Sequence, residues 1–188
     1  MNKNTSGFTL IEALITLSIV AVLSSFGGPA FMDYRRSAEL SSVASDMVAA
    51  MSAAKSEGMN NGINTVIAPT DGVNWNSGWV VFSDKNYNGR FDQGTDRKLF
   101  ARAALPSEMT SSGVGTAAAA APYILFDSLG YSRDTSGGFS NSAVEFVVSN
   151  ASPAAYMYTR RVKASASGRI RACRPVSSTD PDCTLDGL

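Results

Sequence analysis

Apolar residues follow three different rhythms along this chain. Across residues 8–30 they run almost unbroken, with Glu12 as the one charge. At about 1.5 Å per residue a helix of that length reaches roughly 35 Å, enough to cross a hydrocarbon core. Over 31–58 they thin to three- and four-residue spacing, at Leu40, Val43, Ala44, Met47, Val48, Met51 and Ala54, which predicts a continuing helix with one apolar face. Gly58 and the Asn60-Asn61-Gly62 cluster end it. Short runs rich in β-branched and aromatic residues follow at 65–68, 79–82, 98–103, 123–126, 144–148, 155–163 and 169–173, and predict strands separated by turns. Helix first and strands afterwards is an α+β order: a long N-terminal helix packed on an antiparallel sheet, or on two.

Two stretches interrupt these rhythms. Gly27, Gly28 and Pro29 predict a soft spot or kink, because glycine adds backbone freedom and proline removes a donor. Residues 111–121, which apart from Val114 are all Ser, Gly, Thr and Ala, read as a mobile low-complexity loop. Lys3 is the only charge ahead of Glu12, so the short leader is expected to stay cytoplasmic, with everything after residue 30 across the membrane.

Composition narrows the chemistry. The 188 residues allow one compact domain plus an appendage, and 17% charged against 44% apolar fits an extracytoplasmic chain. Histidine is absent, which removes the usual general base, the commonest metal ligand and every Ser-His or Cys-His pair. A hydrolase built from scattered Ser, Asp and Lys lacks a nucleophile elbow or phosphate loop, so the chain reads as a non-enzyme without a cofactor. Cys173 and Cys183 are either a disulfide, worth about 2.5–3 kcal/mol over so short a loop, or two unrelated thiols.

Glu12 needs a reason, since an acid in a membrane helix costs at least about 2–3 kcal/mol. Gly7-Phe8-Thr9-Leu10-Ile11-Glu12 resembles the prepilin peptidase motif of type IV pilins and pseudopilins. The resemblance implies cleavage after Gly7 by the prepilin peptidase, N-methylation of Phe8, and pairing of Glu12 with the terminal amine of a neighbouring pilin subunit. The alternative is an ordinary anchor whose glutamate lies near the headgroups. The implied division is a leader at 1–7, a membrane and assembly helix at 8–30, an amphipathic helix at 31–58 and a β-rich head at 59–188. The chain would first cross the inner membrane once, with its head in the periplasm, and later join a fibre at the cell surface. Gly78-Trp79-Val80-Val81-Phe82, the Asp84-to-Asp92 stretch and Phe126-Asp127-Ser128-Leu129-Gly130 resemble the GspH/FimT group of pseudopilins and minor pilins.

Two stretches are candidate sites. Asp84-Lys85-Asn86-Tyr87-Asn88-Gly89 reproduces the first half of an EF-hand loop, which would make Asp84, Asn86, Asn88 and Asp92 calcium ligands. Thr95 stands where the bidentate glutamate belongs, and the same residues make ordinary turns. The second stretch is 146–179, which has no acid but holds Arg160, Arg161, Lys163, Arg169, Arg171 and Arg174, six of the sixteen basic residues. It predicts a hairpin. With a loop at 165–167, Lys163 would face Arg169 and Arg161 would face Arg171, all on one side. Such a face either meets an anion or protects a sheet edge. Gly168-Arg169-Ile170-Arg171 resembles the glycine-arginine-x-arginine motif of FimT-type minor pilins, which implies sequence-independent DNA binding during natural transformation. The competing expectation is a purely structural subunit, FimU-like or GspH-like, that primes a fibre and binds no ligand.

Overall fold

A computed structural model describes residues 7–149, 156–177 and 179–184, with only the backbone described at 25–30. The leader, expected at 1–7, lies outside these residues except for Gly7. One helix, α1, runs Leu10–Asn61 and stays helical through Gly27, Gly28 and Pro29. The chain divides into two compact units, Met1–Ala38 and Glu39–Leu188.

In the first unit the large apolar side chains Leu10, Ile11, Leu14, Ile15, Leu17, Ile19, Val20, Val22 and Leu23 are all exposed. The helix begins with a capping box. The Thr9 N–H and hydroxyl both donate to the Glu12 carboxylate at 2.8 Å, and the Glu12 N–H donates to Thr9 Oγ1 at 3.3 Å. Among the described residues no helix is long and apolar enough to cross a membrane; the side chains of residues 25–30, part of the expected span, lie outside that description.

In the second unit the predicted stripe is the core. Leu40, Val43, Ala44, Met47, Met51 and Ala54 are all buried, because spacings of three and four residues gather side chains on one side of a helix. The Gly62 N–H donates to the Gly58 carbonyl at 2.9 Å and closes the last turn.

Among the described residues nine strands follow: β1 Thr65–Pro69, β2 Trp79–Ser83, β3 Arg97–Arg102, β4 Met109–Gly115, β5 Ile124–Phe126, β6 Ser132–Arg133, β7 Ser142–Val148, β8 Thr159–Ala164 and β9 Ile170–Cys173. They form two antiparallel sheets, ordered β3-β2-β1-β5-β6 and β4-β7-β8-β9. Trp79 from the first sheet and Phe146 from the second meet in the main core beneath α1, with ring centroids 6.1 Å apart. The outer face of the first sheet carries a smaller core of Val66, Ala68, Val80, Phe82 and Leu125.

Two expectations change here. The serine- and glycine-rich stretch expected to be a loop supplies β4 and a 3-10 turn at Thr116–Ala118. Composition misleads because β4 is held by its backbone ladder along β7, and Gly113 is needed where a Cβ would lie 1.9 Å from the Ala117 carbonyl oxygen. The strand expected at 155–163 begins at Thr159, after a 3-10 turn at Tyr156–Tyr158; residue 155 lies outside the described residues.

Candidate functional site

The EF-hand-like loop satisfies itself. Asp84 is fully buried and accepts the N–H groups of Asn88 at 3.2 Å and Gly89 at 2.8 Å. Burial raises its carboxyl above the usual aspartate range. Asn86 and Asn88 donate their amides to Asp92 at 2.8 and 2.6 Å, so three of the four expected ligands spend their polar atoms on one another. Among the described residues no group of three or more His, Cys, Asp or Glu could hold a metal ion. The loop instead carries Phe91 onto Phe82, with ring centroids 5.4 Å apart, against the outer core.

The basic hairpin forms, but in a shifted register. Lys163 pairs with Arg171 and Arg161 with Cys173, where the expected partners are Arg169 and Arg171. The Ser165 N–H donates to the Arg169 carbonyl at 3.0 Å, leaving 166–168 as the turn. That turn still has odd length, so Arg161, Lys163, Arg169 and Arg171 keep one face. The position of the turn is set by Gly168. Its φ is +73° and a Cβ there would lie 1.8 Å from the Gly130 carbonyl oxygen, so the turn rests directly on the Asp127–Gly130 bend. Lys55 donates to the Gly168 carbonyl at 2.9 Å.

Sharing a face does not make the four cations equally available. Arg161 is 9% exposed and Lys163 0%. Arg161 donates to Glu145 at 2.6 Å and to the Cys183 carbonyl, and Lys163 donates to the Thr184 carbonyl at 2.6 Å. Burial first, then the charges of Arg171 and Arg161, push the Lys163 ammonium below its ordinary value. The cover is the C-terminal tail, fastened by a Cys173–Cys183 disulfide with Cα atoms 5.8 Å apart, which resolves the cysteine alternatives in favour of the bridge.

Arg160 and Arg174 leave the group. Arg160 turns to the α1 side, donating to Ser41 at 3.1 Å, and burial followed by the Arg174 charge lowers its guanidinium. With Arg174 it lines a separate hollow beside α1. Arg174 is exposed there and Arg160 half-buried, so what remains accessible on the hairpin's own face is Arg169, exposed, and Arg171, half-buried. These two line an open groove of about 380 Å³ with Asn141, Ser165, Ala166 and Ser167. Among the described residues neither has a carboxylate partner.

Sequence reasoning missed Glu145 and Asp180, the acids just outside the acid-free window of 146–179. Asp180 accepts the Val176 N–H at 2.9 Å and the Asp182 N–H at 3.1 Å. The Val176 bond above all, with the Arg161 charge as a smaller contribution, holds its carboxyl below the ordinary 3.8. A depressed carboxyl stabilises the fold above its ordinary value, and that contribution is lost as the pH falls through the lowered one. Amide protection at Val176 and Asp182, taken against the intrinsic exchange rate at each pH, should therefore fall in a step below pH 3.8. Asp180→Asn should remove the step; an unchanged step would show that the tail is fastened otherwise.

The N-terminal candidates, Gly7, Phe8 and Glu12, are all exposed, and among the described residues nothing lies within 4 Å of where a Cβ on Gly7 would sit. Thr9-x-x-Glu12 is itself a capping signature, legible in the sequence but not read from it.

Comparison with known proteins places this geometry. Residues 43–168 match the family model described as type II transport protein GspH, and residues 2–27 match the prokaryotic N-terminal methylation motif. The fimbrial protein EcpB of Eikenella corrodens is 33% identical over 82 residues, covering 44% of this chain and 52% of its own length. The match thus spans about half of that curated relative. The type IV minor pilin FimU of Pseudomonas aeruginosa shares the fold at a TM-score of 0.52 and 16% identity, over 74% of this chain and 96% of its own. The minor pseudopilin EpsH from the type 2 secretion system of Vibrio cholerae does so at 0.51 and 13%, over 74% and 99%.

Proposed function

Because this chain belongs to the GspH family of the type IV pilin and pseudopilin superfamily, we propose that it is a FimT-like minor pilin that binds DNA during natural transformation. The family itself gives the coarser role, a minor pilin or pseudopilin in a type IV pilus or a type II secretion system. Before assembly the 8–30 helix anchors it in the inner membrane with the head in the periplasm. Prepilin peptidase cuts behind Gly7, Phe8 is methylated, and Glu12 exchanges its Thr9 partners for a neighbour's amine. The exposed apolar side chains of the first unit support this, since lipid or packed helices would cover what water does not favour.

The observation that carries DNA binding is the pair Arg169 and Arg171, side by side at an open groove without carboxylate partners among the described residues. Guanidinium groups fork onto phosphate oxygens. With Arg161 and Lys163 covered, the grip rests on these two, and Gly168 contributes by seating the turn. The test is a titration of the full-length protein in detergent with duplex DNA at two salt concentrations. Arg169→Gln with Arg171→Gln should weaken binding about tenfold or more and flatten the log–log salt slope by about 2. The fold shared with FimU and EpsH, and the ion-paired state of Arg161, favour a second reading: a structural subunit without ligand. Salt-insensitive or absent binding, with fibre assembly impaired, would select it.

A further inference from the structure

Resting on the DNA reading above, we infer that Tyr131 and Phe139 form a base-stacking platform beside the Arg169–Arg171 groove, which makes the site selective for single-stranded over duplex DNA.

Ser132 in β6 is fully buried, so alternation turns its neighbours Tyr131 and Arg133 outward. Arg133 bridges across to Phe139, bringing both rings together edge to face at 5.6 Å and 87°. The Arg133 guanidinium lies over Phe139 at 3.8 Å and reaches the Tyr131 ring at 5.6 Å. Arg133 is itself held by Asp127 at 2.8 Å and by the Gly137 carbonyl at 3.2 Å. One face of Phe139 is thus backed by a fixed cation while the side chain stays 61% exposed. A phenyl ring fixed and left in water offers a preorganised π-surface.

Its neighbours in the chain are tied to the arginine turn. The Ser132 N–H donates to the Ala166 carbonyl at 3.1 Å, and the Ser140 N–H donates to the Ser132 carbonyl at 3.1 Å. The Ala166 N–H donates to Asn141 Oδ1 at 2.7 Å. Asn141 lines the groove with Arg169 and Arg171, so the segments that carry the rings are hydrogen-bonded to the turn beside the free guanidiniums. Asp127 offsets the Arg133 charge, and Asp134 keeps its negative charge while accepting the N–H groups of Ser136 and Gly138. The platform therefore adds stacking and no net positive charge. Stacking needs an exposed base face, which a duplex hides and a single strand presents.

The test uses the full-length protein in detergent with a fluorescent single-stranded oligonucleotide and the duplex of equal length. Wild type should bind the single strand more tightly. Tyr131→Leu with Phe139→Leu, which keeps apolar cover on Arg133, should weaken single-strand binding about fivefold or more and leave duplex binding within about twofold. A thiothymidine-substituted strand should photocrosslink within residues 131–139. Arg169→Gln with Arg171→Gln should weaken both probes, so binding of neither probe would overturn the parent reading as well. Equal wild-type affinity for both probes, an equal effect of the leucine pair on both, or crosslinks confined elsewhere would overturn the platform alone. Lost filament incorporation with unchanged oligonucleotide binding would also overturn it, assigning the rings to a subunit contact.

Discussion

Gly168→Ala should destabilise the head by about 3 kcal/mol, combining left-handed backbone strain with overpacking against rigid backbone. The added Cβ would sit 1.8 Å from the Gly130 carbonyl oxygen, at a φ of +73°. A clash with the tip of a long side chain is relieved by rotation, whereas this one is with main chain. Gly130 cannot retreat easily, because its N–H donates to the Asp127 carbonyl at 3.0 Å and its own φ is +82°. The turn must lift, and lifting it strains the Lys55 and Ser132 hydrogen bonds that seat it. Chemical denaturation measures the loss. Ser167→Ala, one residue away and exposed, should change stability by less than about 0.5 kcal/mol. Equal stability of Gly168→Ala and wild type would mean that the turn does not rest on Gly130.

Trp79→Ala should cost about 3–5 kcal/mol, the range for truncating a buried aromatic residue. Trp79 is fully buried on β2, faces Phe146 of the other sheet, and lies under the Arg102 guanidinium at 4.9 Å. It is therefore one of the contacts through which the two sheets share a core, and alanine would leave a void that neither backbone ladder can close. Trp79→Phe separates packing from polarity. The buried Trp79 Nε1 has no hydrogen-bond partner among the described residues, so phenylalanine relieves an unsatisfied donor while leaving a smaller cavity. Its cost should be well under half that of alanine. A phenylalanine variant as unstable as the alanine one would contradict this account of the site.

Much of the architecture is local enough to read in advance. The stripe from Leu40 to Ala54 and its stop at Gly58 to Gly62 follow from helical periodicity and terminator chemistry, and the structure buries that face. Strands such as Trp79–Ser83 are visible because apolar and β-branched residues concentrate between turn signals. Strand β4 is not, since its Ser and Gly residues carry no propensity signal and only pairing with β7 makes them extended. Strand β6 is too short to announce itself, yet it positions Tyr131 and Arg133. In the EF-hand-like loop, residue identities alone allow ligation or turn-making. The structure directs the Asn86 and Asn88 amides at Asp92, an arrangement that residue identities alone do not specify.

The sequence by itself determined the helix-then-strand order, the N-terminal processing motif, and the existence of a basic hairpin from Thr159 to Cys173. Those properties depend on neighbours within a few residues, and side-chain periodicity encodes them directly. The tertiary structure alone decided which cations meet solvent. The acid-free window is bordered by Glu145 and Asp180; folding lays β7 beside β8, and the disulfide-fastened tail covers that face, so Arg161 and Lys163 are buried beneath it. Charge along a chain adds up residue by residue, but charge at a surface depends on which groups are brought within a few ångströms and what excludes water there. Of the six cations in the window, that leaves Arg169 and Arg171 together at the open groove.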